Sequence, residues 1–158
     1  PLAEEDDIAA NAEVSERTAR SYAQWLGLLK PRYRSVLATL AEPSAQPALF
    51  HCAGGQDRTG TVAALLLGIA GVPPETIADD YALSARFLRD RYVAEWAPPE
   101  LSTEEFTWQD YQAQACPPEA MLKVLQHLEE RYGGVEAYVR AIGLTQDEVD
   151  SLRNALVE

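Results

Sequence analysis

Apolar residues along this chain recur mostly at intervals of three and four, the spacing of amphipathic helices. From Ser15 onward, Tyr22, Trp25, Leu26 and Leu29 fall on one stripe. Pro31 breaks or restarts that helix before Tyr33, Val36, Leu37 and Leu40 repeat the pattern. Residues 1–14 are acidic and alanine-rich, without a stable apolar stripe, and read as a loose arm. The stretch 58–70 is apolar on nearly every side through Val62, Leu65, Leu66, Leu67 and Ile69, which predicts a central, covered helix capped at Gly71. Pro73-Pro74 opens a helix over 74–89, with Ile77, Tyr81, Ser84 and Leu88 in line. The last third is plainly helical. Met121, Leu125, Leu128 and Tyr132 form a stripe closed by Gly133; Val135, Tyr138, Val139 and Ile142 form another closed by Gly143. Thr145 and Glu148 are spaced as a capping box for a final helix carrying Val149, Leu152 and Leu156.

One segment has a different pattern. Ala48-Leu-Phe-His-Cys52 is a short apolar run of strand length, entered from a proline-containing loop and followed by a glycine-containing loop and the helix over 58–70. Strand, loop and helix in that order predict an α/β fold, a sheet flanked by helices, with this chain predominantly helical. A lone strand cannot satisfy the N–H and C=O groups of its edges. Either further strands hide in sequence that reads as helix, or, the favoured reading, the remaining N-terminal strands lie outside these 158 residues, which otherwise suffice for one domain. Over 93–116 the periodicity dissolves, and Trp96, Phe106, Trp108 and Tyr111 are scattered among prolines and acids. So long an irregular stretch is a candidate lid; a surface loop pinned by buried aromatics is the equal alternative.

The net charge of −12 changes the list of partners. It argues against nucleic acid, whose phosphates must be neutralised by many basic groups, and against a broad attraction to anionic membranes. No run approaches the ~18 apolar residues of a membrane span, and no basic-then-apolar leader opens the chain. Two cysteines cannot build a disulfide framework, so a reducing, cytoplasmic compartment is expected. No group of His, Cys and carboxylate residues has ligand spacing, and neither a metal nor another cofactor is expected.

The chemistry concentrates in His51-Cys-Ala-Gly-Gly-Gln-Asp-Arg-Thr-Gly60. A short loop entering a helix aims successive backbone N–H groups at one point, and the helix terminus adds about half a positive charge there. Ala53, Gly54, Gly55, Gln56 and Asp57 would supply that ring of amides, and Arg58 would close it with a planar fork able to hold two phosphate oxygens. Such a cradle also lowers the pKa of a thiol at its base. Cys52 is thus the candidate nucleophile for attack on a phosphorus held above it. Asp57 is the nearest carboxylate for protonating a leaving oxygen, and tying down the loop is its alternative role. Thr59 has a hydroxyl to offer the sulfur, or merely the helix start; His51 is expected to order the loop from behind. A Walker-type nucleotide loop is excluded, because Gly60 is followed by Thr61-Val62 with no lysine.

The segment from His51 to Gly60 resembles the extended signature of the cysteine-based protein tyrosine phosphatase superfamily, in the bacterial tyrosine and phosphoinositide phosphatase branch written HCxxGKDRTG. Thr61 to Leu88, and Glu129-Glu-Arg-Tyr-Gly-Gly-Val135, are similar to that branch as well. The resemblance implies a phosphomonoester hydrolase of the protein-tyrosine or dual-specificity type, with Cys52 as nucleophile, Arg58 as phosphate clamp and Asp57 as acid, acting on phosphorylated protein or phosphoinositide. Two departures stand out. The loop lysine of the branch is Gln56 here, and the strand-rich segment with an Arg-Asp-Leu-Gly-Gly type motif that usually opens these proteins is not found. The chain looks like the C-terminal two-thirds of the family pattern.

Two rival readings share these residues. A phosphate-binding pseudophosphatase would use the cradle without turnover, and a rhodanese-like sulfur transferase would use the thiol without a task for Asp57. Arg86, Arg89 and Arg91 are candidates for a second phosphate, with a solvated face as the stronger alternative. Asp79 and Asp80 are read as an exposed or capping pair, Cys116 as structural and His127 as surface.

Overall fold

The computed structural model describes residues 2–98, 101 and 105–157. Among the described residues there is no strand. The expected phosphatase-type sheet is therefore corrected to an all-helical fold, in which residues 48–52 run to the site without a ladder. A short apolar run needs a neighbouring strand to become a sheet, and none of the described backbone pairs with this segment. Leu49, 91% exposed, projects into solvent instead of a core.

Helix α1 covers Leu2–Leu28 and α2 covers Lys30–Ala41. The backbone of residues 2–14, expected as a loose arm, is helical and continuous with α1. Alanine and glutamate carry strong intrinsic helix propensity, and such a segment extends a helix already nucleated by packing further along. Pro31 sits in the first turn of α2, where its missing N–H costs nothing. Ala19, Tyr22 and Leu26 of α1 are buried, as are Tyr33, Leu37 and Ala41 of α2, each set at helical spacing.

Helix α3, Asp57–Ile69, is the centre. Thr61, Val62, Ala64, Leu65, Leu66 and Ile69 are all buried, and α3 packs against α4 (Pro74–Ala82), α8 (Val135–Ala141) and α9 (Gln146–Val157). Each large apolar side chain fully buried here contributes about 1.5–3 kcal/mol. The single helix expected over 74–89 is two: α4 ends at Ala82, and α5 runs Ser84–Glu95. At the junction the Leu83 N–H bonds to both the Asp79 and Asp80 carbonyls, and the Arg86 N–H returns to Leu83. These shorter-range bonds mark the tightened turn that separates the two helices.

Within 93–116, residues 99, 100 and 102–104 lie outside the described residues. The rest is more ordered than the sequence pattern implies. Helix α6, Trp108–Ala115, starts from a capping box in which Thr107 and Asp110 satisfy each other's backbone N–H. Phe106 and Tyr111 are buried, and Tyr92 packs against both rings. Helix α7, Pro118–Tyr132, buries Met121, Val124, Leu125 and Leu128 against α1 and α4. The Tyr138 hydroxyl of α8 donates to the Leu26 carbonyl at 2.8 Å, joining the far end of α1 to this layer. The expected Thr145–Glu148 box is present, with bonds of 2.7 and 3.2 Å.

Candidate active site

The site lies where residues 48–52 meet the head of α3. Gly55 has φ of 74°, in the left-handed region that glycine enters without steric cost. That turn carries the Gly55 N–H back onto Cys52 Sγ at 3.3 Å. The Cys52 N–H in turn donates to Thr59 Oγ1 at 2.9 Å, fastening the loop's entry to the first turn of α3.

Partial burial of the Cys52 thiol is the largest single influence on its ionisation and opposes it. The donors outweigh it together: the Thr59 hydroxyl, then the Thr59, Gly55 and Gly54 backbone N–H groups, hold the thiol at about 6. At neutral pH the sulfur is thus mainly thiolate, the form that attacks. Cys116 has the opposite environment. It is fully buried, and burial first, with the nearby Asp57 charge adding to it, pushes its thiol up to about 12.

Cys52, Arg58 and Thr59 share the wall of a cavity of about 260 Å³ with Leu29, Tyr33 and Phe50. Arg58 is exposed, and its charge reaches the Tyr33 phenol, although burial dominates there and keeps that phenol above its usual range. His51 is exposed, with Nδ1 at 2.9 Å from the Cys52 carbonyl; in the tautomer with hydrogen on Nδ1 it donates to that oxygen. Ala53 is exposed beside it.

Gln56 and Asp57 face inward. Gln56 is 7% exposed; its Nε2 donates to the Ala115 carbonyl at 3.0 Å and its Oε1 accepts from the Tyr111 hydroxyl at 3.1 Å. The carboxamide therefore belongs to the packing against α6, which leaves the Gln56 backbone as its means of meeting an anion. Asp57 is half-buried, and its Oδ1 accepts a short hydrogen bond from the Tyr22 hydroxyl of α1. The Tyr81 hydroxyl of α4 stands 2.9 Å behind that of Tyr22. Burial, the largest cause, pushes both phenols well above their ordinary range.

The structure brings Cys52, Gly54, Gly55 and Thr59 into one cradle and sets Arg58 on the same cavity. It leaves the other basic candidates apart: Arg86 lies over the Trp108 ring at 4.6 Å, Arg89 donates to the Phe106 carbonyl, and Arg91 pairs with Glu95. Asp79 and Asp80 are exposed. Tyr22, which binds the Asp57 carboxyl, Tyr111, which binds the Gln56 carboxamide, and Tyr81, which backs the Tyr22 hydroxyl, read in sequence only as core or scattered aromatics.

A thiol held acidic by loop amides at a helix head is the site of a cysteine-dependent protein, and the chain is a member of the tyrosine phosphatase family, whose model matches residues 2–158. The chain is 34% identical over 142 residues to a protein named tyrosine-protein phosphatase from Nostoc commune, covering 84% of this chain and 47% of that one. It is 28% identical over 125 residues to the triple specificity protein phosphatase PtpB of Mycobacterium tuberculosis, covering 72% of this chain and 45% of that one. The chain thus spans under half the length of these curated relatives.

Proposed function

We propose that the protein hydrolyses phosphomonoesters, phosphotyrosine in proteins first among them, through a cysteinyl-phosphate. The Cys52 thiolate attacks phosphorus, an S–P bond forms as the ester P–O bond breaks, and the leaving oxygen takes the electron pair together with the Asp57 proton. Water then attacks phosphorus while Asp57 takes its proton. The S–P bond breaks, the thiolate returns, and inorganic phosphate departs. Arg58 and the amides of residues 53–58 would stabilise the equatorial oxygens, where charge accumulates in the transition state.

The observation that carries this reading is the Gly55 N–H on Cys52 Sγ, with the thiol held at about 6. The relatives' printed names support the same chemistry. Phosphoinositides form a second substrate class under this proposal, for which the inward Gln56 offers no side-chain cation. That same inward turn favours the rival reading of a phosphate-binding module without turnover. Cys52→Ser separates the two. Turnover of p-nitrophenyl phosphate by the native chain, abolished in the variant while vanadate still binds, supports the enzyme. Vanadate binding by a native chain without turnover supports the rival, and undiminished turnover by the variant removes Cys52 from the chemistry.

A further inference from the structure

We infer that Tyr22 is a positioning residue for the reaction: its phenol holds one oxygen of Asp57 so that the other presents the transferable proton to the leaving group. This rests on the reading of Asp57 as the acid. A neutral carboxyl has one carbonyl oxygen and one hydroxyl. Oδ1 accepts from the Tyr22 hydroxyl and lies 3.5 Å from Gln56 Nε2, so two donors converge on it. The oxygen that accepts donors is the carbonyl one; the acid's hydrogen is thereby placed on Oδ2. After transfer, the same geometry leaves Oδ2 as the base for water.

The arrangement is built from buried parts. Tyr22 is 2% exposed and Tyr81 3% exposed, while Asp57 is half-buried at the start of α3. Tyr22 has a single hydroxyl hydrogen, and it is donated to Asp57 Oδ1. Tyr81, 2.9 Å away, must then donate to the Tyr22 oxygen, and a chain of donors running one way strengthens each member. Burial keeps both phenols protonated across the working range, so the donor is permanent. The rings are fixed independently of the hydroxyls. Tyr22 stacks on Trp25 with centroids 5.2 Å apart and meets Tyr81 edge-on at 6.1 Å, so Tyr22→Phe removes the donor and keeps the packing.

The test compares kcat/KM of the full chain on p-nitrophenyl phosphate, with a good leaving group, and phenyl phosphate, with a poor one, because kcat/KM reports the cleavage of the ester bond and not the later hydrolysis common to both. Tyr22→Phe is expected to lower kcat/KM on phenyl phosphate about tenfold, against at most about twofold on p-nitrophenyl phosphate. Placed on Asp57→Asn, it is expected to add no further loss, because the group it positions is already gone. Tyr81→Phe is expected to show the same selectivity, more weakly, and carries the test if Tyr22→Phe does not fold. Equal slowing of both substrates, or a full further loss on the Asp57→Asn background, overturns the inference. If Asp57→Asn itself slows both substrates equally, the acid reading fails and takes the inference with it. If Asp57→Asn is selective and the tyrosine variants are not, only the inference falls.

Discussion

Thr59 Oγ1 lies 2.9 Å from the backbone nitrogen of Cys52, and the same hydroxyl turns its hydrogen to the Cys52 sulfur. One side chain thus accepts from the backbone of Cys52 and donates to its side chain. Thr59→Val keeps the shape and removes both bonds. The thiol is then expected to rise from about 6 toward its ordinary value, which cuts the thiolate fraction at neutral pH. Iodoacetamide trapping of Cys52 across a pH series would show the midpoint move upward; an unmoved midpoint would remove Thr59 from this role.

Under the proposed mechanism the depressed thiol also sets the acid side of the activity. A thiol at about 6 is half ionised at that pH, nears full ionisation a unit or two above it, and loses its thiolate about tenfold per unit well below it. The kcat/KM profile on p-nitrophenyl phosphate is expected to bend near pH 6 on its acid limb. A bend near 9 would show an ordinary thiol.

The two cysteines are expected to react very differently. Cys52 is partly open and acidic, whereas Cys116 is fully buried with its thiol pushed up to about 12. One equivalent of iodoacetamide at pH 7 is expected to label Cys52 by more than tenfold over Cys116, read by peptide mass mapping. Comparable labelling of both under native conditions contradicts the structure's placement of Cys116.

Gly60 is where α3 touches the tyrosine pair. A Cβ added there would stand 2.7 Å from Tyr81 Cδ2. Gly60→Ala is expected to displace that ring and cost about 1–3 kcal/mol of stability, as overpacking does. A urea midpoint unchanged from the native chain would mean that Tyr81 can move aside freely.

The cradle was readable because it is local: the groups acting on Cys52 come from Gly54, Gly55 and Thr59, all within seven positions of it. The loop's inward partners are not local. Tyr22 meets Asp57 across 35 positions and Tyr81 across 59, and a tyrosine on an apolar stripe gives no sign of what its hydroxyl touches. The sheet failed for a related reason. Residues 48–52 have strand-like composition, but a strand is defined by its neighbour, and none of the described residues supplies one. Helix α6 carried a local sign in Thr107 and Asp110, the spacing of a capping box, beneath the irregular apolar pattern of its surroundings. Residues 2–14 lacked a stripe, yet alanine and glutamate propensity suffices to prolong a neighbouring helix.

The most direct test is to look for phosphorus on sulfur. Radiolabelled phenyl phosphate, mixed with the native chain and quenched in acid within a single turnover, is expected to leave label on the peptide containing Cys52 and none on that containing Cys116. Cys52→Ser should abolish this acid-quenched thiol label together with turnover. Continued turnover by that variant, or label trapped on another residue of the native chain, would contradict the account.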